Sequence, residues 1–217
     1  MSTATLDEAR AAARSAGLAA GLRRVLARST AVPCSAGGRA FLPAGWSGNV
    51  PAWHLPGGTL PRADARVRRH LHPLAGTCDL ELVEVSPLVC TAVAPHDGPD
   101  FCPAGELALL GVRIGTAERA LDQATEHLAG RTSGGAPMIR YQLPPAAIAD
   151  AVTELELCAA YRSCPADAHD RLCGVEQSIA GLFGGSGYLC AGPATSLYMA
   201  ALVASTWTPV NGPGRRS

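Results

Sequence analysis

The chain is expected to be mainly α, with a four-helix bundle preceded by a short helix and a Pro-rich segment holding a few β-strands. Two observations predict this. From Pro103 onward, apolar residues recur at three- and four-residue steps in four successive stretches, separated by breaks rich in Gly and Pro. Between Thr30 and Ala75, Pro33, Pro43, Pro51, Pro56, Pro61 and Pro73 forbid a long helix. With 217 residues and 47% hydrophobic content, the chain can bury a sizeable core and is too apolar for a disordered segment.

Leu6–Arg28 reads as one helix, capped by Thr5 or Asp7 and striped by Leu18, Leu22, Val25 and Leu26. Loops and short strands follow to Ala75, and an arginine cluster (Arg62, Arg66, Arg68, Arg69) precedes His70 and His72. Asp79–Val93 alternates charge with Leu and Val, so it should hold one or two strands, closed by a turn at His96–Pro99. Pro103 opens a helix running to about His127, with Leu107, Leu110, Ile114, Ala117, Leu121, Ala124 and Leu128 on one face and Gly130 as its stop. Pro144 and Pro145 open the second helix, which carries Ile148, Val152, Leu155 and Leu157. Asp167 caps a third, from Ala168 to Leu182, and a fourth runs from Pro193 to Ser205. Short connections favour an up-and-down arrangement. The expected division is residues 1–102 as helix plus loop and strand segment, 103–207 as bundle, and 208–217 as a flexible tail.

Formal net charge is zero, which disfavours a nucleic-acid partner. All 18 basic residues are Arg and none is Lys, as expected of a GC-rich bacterial genome. No apolar run approaches the roughly eighteen residues of a membrane span. The first residues lack the apolar stretch of a secretory signal, so a cytoplasmic protein is expected. The eight cysteines (Cys34, Cys78, Cys90, Cys102, Cys158, Cys164, Cys173, Cys190) form no C-x-x-C pair and read as reduced, small hydrophobes. His70 and His72 share one side of a strand but have no third ligand at a recognisable spacing, so no metal site is assigned.

Two segments carry chemistry: RTSGGAPMIRYQ at 131–142 and FGGSGYLCAGPATSLY at 183–198. Together with the helix before them and ADAVTELELCAAY between them, they resemble the C-terminal domain of acyl-CoA dehydrogenases. In that family a long helix leads to RTQFG-x-P and a closing glutamine, then to GGYGY and P-V-E-R-L-Y. Arg131, Thr132, Gly135, Pro137 and Gln142 match the first motif. Gly184, Gly185, Gly187 and Tyr188 match the second, and Pro193, Leu197 and Tyr198 the third. The resemblance covers roughly Gly105 to Ser205. It implies FAD, with Arg131 on the pyrophosphate of a neighbouring subunit and Gly184 and Gly185 allowing close backbone approach. It also implies an acyl thioester substrate carried by CoA or a carrier protein, a polyketide- or peptide-derived intermediate of bacterial secondary metabolism being the expected kind. The oligomer implied is a homo-oligomer or a heteromer with a dehydrogenase-like chain.

The sequence departs from that pattern at identifiable places. The loop aromatic is Gly134, and the glutamine before the double glycine falls at Gly181, one turn after Gln177. The glutamate that serves as base in P-V-E-R-L-Y is Thr195, whose hydroxyl cannot take a proton without a base of its own. Glu106, Glu118 and Glu126 on the long helix are the other carboxylates at which members place a base, and each also reads as a solvated helix face. The segment before the bundle is too short for the family's helical and β domains, though 30–100 could be a shrunken β domain. His96–Asp97, His169–Asp170 and the Trp46, Trp53 and His54 group read as a loop pair, a helix first turn, and a pocket wall or plug. The catalytic residue is therefore left unassigned. The alternatives to a dehydrogenase are a flavin-free cyclase, dehydratase or isomerase that reuses the bundle cavity, and a catalytically silent subunit.

Overall fold

A computed structural model describes residues 4–55, 58–88, 103–163, 165–185 and 192–208. Its helices are α1 (Ala4–Ala16), α2 (Leu18–Leu26), α3 (Pro103–Gly130), α4 (Leu143–Ala160), α5 (Pro165–Leu182) and α6 (Pro193–Trp207). Its strands are β1 (Val32–Pro33), β2 (Arg39–Pro43), β3 (Ala52–Leu55), β4 (Gly58–Pro61), β5 (Ala65–His70), β6 (Leu80–Pro87), β7 (Thr132–Ser133) and β8 (Ala136–Pro137). Among the described residues, no helix is long and apolar enough to cross a membrane.

The bundle is α3 to α6, as the heptad-like spacing predicts. Its core holds Leu107, Leu110, Ile114, Ala117, Leu121 and Ala124 of α3 with Leu155 of α4, Leu172 and Ile179 of α5, and Leu197 of α6. That α3 face is the one the sequence pattern selects. The opposite face of α3 is buried as well. Ala108, Leu109 and Val112 join a second core with α2, both larger sheets, and Met199, Val203 and Trp207 of α6. Thus α3 and α6 serve both cores, and the change of element type near residue 102 does not divide them.

Residues 32–87 form two three-stranded sheets, ordered β1-β3-β4 and β2-β6-β5. β6 lies antiparallel between β2 and β5, with Phe41 opposite Leu82 and Arg68 opposite Glu84. Trp207 ties the sheet to the bundle by donating its indole N–H to the Phe41 carbonyl at 3.2 Å. Trp53 is fully buried in the second core, a plug rather than a pocket wall.

Three expectations are corrected. The first helix is two, because Gly17 takes φ +88°, a conformation that removes the steric cost only for a residue without Cβ. The third bundle helix begins at Pro165, so Asp167 lies inside its first turn rather than capping it. Its carboxylate favours that position through the helix dipole. Glu118 is not on a solvated face: it is 9% exposed and carries ion pairs from α1.

α1 can lie against α3 because Gly111 and Gly115 bring the two backbones together. A Cβ at Gly111 would sit 2.4 Å from the Leu6 carbonyl oxygen, and one at Gly115 would sit 2.1 Å from that of Arg10. At this crossing Arg10 donates to Glu118 at 2.7 and 3.1 Å. Those bonds hold the Arg10 guanidinium above its ordinary pKa. Cys90, Cys102, Cys164, Cys190, His96–Asp97, Gly187, Tyr188, the end of the Asp79–Val93 segment and the tail from 209 lie outside the described residues.

Candidate functional site

Antiparallel packing of α5 on α6 leaves a groove of about 450 Å³. Its walls are largely apolar: Leu74 from the sheet side, Ala180 from α5, and Ala194, Leu197, Tyr198 and Ala201 from α6. Small alanines facing each other across the two helices are what open it. The polar groups on its wall are Cys173, Glu176 and Gln177 of α5 with Thr195 of α6. Thr195, singled out from sequence, is 7% exposed and stands in the first turn of α6, where its amide donates to Gly192 at 2.9 Å.

Among the described residues Glu176 is the one carboxylate on this wall, and it is engaged from behind. Arg113, 2% exposed in the middle of α3, donates Nε to Oε1 at 3.1 Å and Nη2 to Oε2 at 2.7 Å. Its Nη1 donates to His169 Nδ1 at 3.0 Å and to the His169 carbonyl at 2.9 Å, and its Nη2 reaches Cys173 Sγ at 3.5 Å. His169, Cys173 and Glu176 follow at steps of four and three along α5, so one helix face presents all of them to Arg113. Guanidinium can only donate, so His169 Nδ1 is the acceptor and its proton resides on Nε2. That Nε2 is buried and, among the described residues, meets no partner at full hydrogen-bond geometry, the Glu106 carbonyl acting on it only weakly. Burial, reinforced by the Arg113 charge, pushes the imidazole down to about 4, with the Glu106 carbonyl as a minor opposing influence.

Arg113 and Glu176 respond to each other. Burial lowers the Arg113 value, but Glu176 outweighs it and the guanidinium is held protonated. Burial raises Glu176, and Arg113 restrains the rise. Both oxygens of this carboxylate already accept guanidinium bonds from Arg113 on the side away from the groove. This cluster was missed at the level of sequence. Its signal was a lone arginine in the apolar run LALLGVRIGTA, matched by H-x-x-x-C-x-x-E on the third bundle helix.

The other candidate bases lie elsewhere. Glu118 is committed to Arg10 and Arg14, and Glu126 is exposed. Glu106 is half-buried in the first turn of α3, with its carboxyl raised by burial, at the end of the bundle opposite the start of α6. His70 pairs with Glu84 at 3.0 Å, while His72 packs edge-on against Phe41 and accepts the Leu74 amide. Among the described residues no three His, Cys, Asp or Glu side chains are grouped to hold a metal.

Arg131, Gly184 and Gly185 come together at the bundle end where α3 and α5 finish and α6 begins. His127 links them: its ring lies 5.7 Å from that of Phe183, and Arg131 Nη1 is 3.5 Å from its Nε2. Arg131 is exposed, Gly184 takes φ +57°, and a Cβ on either glycine would enter open space. This corner is accessible to an anion, as the phosphate end of a dinucleotide requires. The 131–142 loop closes on itself through the Tyr141 hydroxyl, which donates to the Ser133 carbonyl and stands 3.3 Å from where a Gly134 Cβ would be. Gly181, exposed on α5, offers no side chain. Among the described residues, the exposed Arg131 and the open Gly184 and Gly185 are the groups at this corner that suit an anion such as a phosphate.

A second, polar recess of about 330 Å³ lies beside the start of α6. Its arginines are already engaged, Arg23 with Asp79 at 2.6 Å and Arg119 with the carbonyls of Arg14 and Ser15.

Solved structures place this architecture. A Mycobacterium smegmatis protein assigned as an acyl-CoA dehydrogenase superposes with TM-score 0.55 at 16% identity, over 74% of this chain and 54% of that one. The fold is that of the acyl-CoA dehydrogenases. The Geobacillus kaustophilus acyl-CoA dehydrogenase gives 0.52 at 13% identity, over 74% and 55% of the two chains. FkbI, named for biosynthesis of a methoxymalonyl extender unit of a polyketide immunosuppressant, gives 0.50 at 15%, over 74% and 55%. The chain spans about half the length of these acyl-CoA dehydrogenase-fold proteins. Neither a protein-family model nor a curated protein matches it in sequence.

Proposed function

We propose that this chain binds an acyl thioester in the α5–α6 groove, as one subunit of an acyl-CoA dehydrogenase-type assembly. The observation that carries the reading is the groove itself: an apolar slot with Thr195 at the position of the family's base and Glu176 tied to Arg113. Such a wall can hold an acyl chain, and among the described residues it supplies no free carboxylate for α-proton removal. The base then comes from another chain of the assembly, a homo- or heteromeric partner. Arg131, Gly184 and Gly185 would contact the phosphates of FAD, whose chemistry when bound is to accept hydride at the flavin ring. The methoxymalonyl-pathway neighbour supports a substrate in secondary metabolism.

The test is calorimetric titration of the full chain with acyl-CoA esters of increasing length. Each methylene entering the groove contributes about 0.8 kcal/mol, roughly four-fold in affinity, until the slot is full. Ala201→Phe, which fills the slot, should remove that dependence. Binding that is indifferent to chain length and to Ala201→Phe sinks the reading. A visible spectrum after incubation with FAD addresses the cofactor: a retained flavin band that Arg131→Ala weakens supports the phosphate contact. A colourless chain that still binds acyl-CoA, and that converts it without flavin, favours the cyclase, dehydratase or isomerase reading.

A further inference from the structure

We propose that the outer face of β5 docks an acidic carrier protein that delivers the acyl thioester to the groove. The inference rests on the acyl-thioester reading above and names the source of the thioester.

Among the described residues β5 is an edge strand of the β2-β6-β5 sheet. Its alternation sends Ala65 and Val67 to the core and leaves Arg66, Arg68 and His70 outside. The residues facing them on β6 are Ser86, Glu84 and Leu82. Glu84 is shared between His70 at 3.0 Å and Arg39 at 3.8 Å. Arg66 and Arg68 have no ion pair or side-chain hydrogen bond among the described residues, whereas Arg69, which alternates with them along the strand, is paired with Glu81 at 2.9 Å. On a chain with zero net charge, this leaves a local excess of uncompensated guanidinium.

Two further features select a protein as the occupant. Leu71, directly after the strand, is 99% exposed, an apolar side chain with none of the described residues packed against it. Outward residues on a strand recur about every 6.5–7 Å, close to the roughly 5.4 Å rise per turn of a helix, so an acidic helix can meet Arg66 and Arg68 in succession. A flat edge with a protruding Leu suits a folded partner's surface. The phosphates of free CoA would favour a concave site. The patch also leads into the groove: His72, held against Phe41, accepts the Leu74 amide, and Leu74 lines the slot. A carrier seated on β5 and Leu71 places its thioester arm at that wall. Edge charges also deter strand-to-strand aggregation, but that role is indifferent to sign.

The experiment compares two probes on the full chain by calorimetry at low and high salt: a decanoyl-loaded bacterial acyl carrier protein and decanoyl-CoA. The loaded carrier should bind with strong salt dependence. Arg66→Glu/Arg68→Glu, which keeps the edge charged, should weaken it about ten-fold or more while decanoyl-CoA changes less than about two-fold. Leu71→Asp should act in the same direction. Unaltered carrier binding by the charge-reversed chain overturns the proposal, as does equal weakening of both probes. Intact decanoyl-CoA binding with an indifferent carrier rejects the docking surface alone. Failure of both probes, with Ala201→Phe also silent, rejects the acyl-thioester reading beneath it. Far-UV circular dichroism of each variant verifies that the fold is retained.

Discussion

Replacing Gly115 by Ala adds a single methyl group, yet it should be among the most disruptive small substitutions in this chain. The added Cβ would lie 2.1 Å from the Arg10 carbonyl oxygen, 2.9 Å from its carbon and 3.0 Å from the Ala13 Cβ. Ordinary contact begins near 3.4 Å, so α1 must withdraw by 1.3 Å (3.4 minus 2.1) or α3 must bend. The obstruction is backbone, which cannot rotate away. Withdrawal loosens Leu6, Ala9 and Ala13, each at most 1% exposed, and stretches the Arg10–Glu118 bonds. A gap of about 1 Å forfeits a quarter to a half of each dispersion contact. Overpacking costs about 1–3 kcal/mol, occasionally more, and backbone-on-backbone contact puts this site at or above the upper end. Ala gains about 1 kcal/mol in helix propensity over Gly. The net expectation is about 2–3 kcal/mol of lost stability, or roughly 5–10 °C in Tm. Gly174→Ala on α5 is the matched control: its Cβ meets nothing within 4 Å, so propensity acts alone and stability should rise by up to about 1 kcal/mol. Urea unfolding followed by circular dichroism measures both. A Gly115→Ala chain as stable as the parent would refute the argument that the two glycines set the α1–α3 approach.

Three other predictions concern the bundle interior and the groove. Arg113→Met leaves the buried Glu176 without its partner and should cost about 3–5 kcal/mol, whereas Arg113→Met/Glu176→Leu should recover most of that. A double variant no better than the single one contradicts this. His169 titrates near 6.5 when unfolded and at about 4 when folded, so below pH 6.5 the unfolded chain takes up the proton first. Its contribution is complete above pH 6.5 and is lost as pH falls to about 4, amounting to about 3 kcal/mol. The difference in stability between parent and His169→Gln should therefore change over that window, and a pH-independent difference rejects it. N-ethylmaleimide on exposed Cys173, which lines the groove, should abolish acyl-CoA binding in the parent and spare a Cys173→Ser variant. Equal inhibition of both would show that the thiol responsible lies elsewhere.

The amino-acid sequence alone determined the four bundle helices, the face of α3 that meets α4 and α5, and the strand-bearing character of 30–87. Each is a local consequence of apolar periodicity, proline and glycine, which act within a few residues. Motif order also named the fold that the solved structures share. Tertiary structure decided what periodicity cannot encode. The second buried face of α3, with Ala108, Leu109 and Val112, is set by the sheets that lie against it. Gly17 lies inside the Leu6–Arg28 pattern, and only its positive φ makes it a break. Gly111 and Gly115 had no evident partner until α1, about a hundred residues earlier, was laid across them. Glu118 had the spacing of a solvated position, but Arg10 and Arg14 reach it from that same helix. Arg113, His169, Cys173 and Glu176 were a lone charge and a scattered triplet until two helices packed side by side. Contacts between distant segments depend on where each helix axis lies, and no local pattern carries that information.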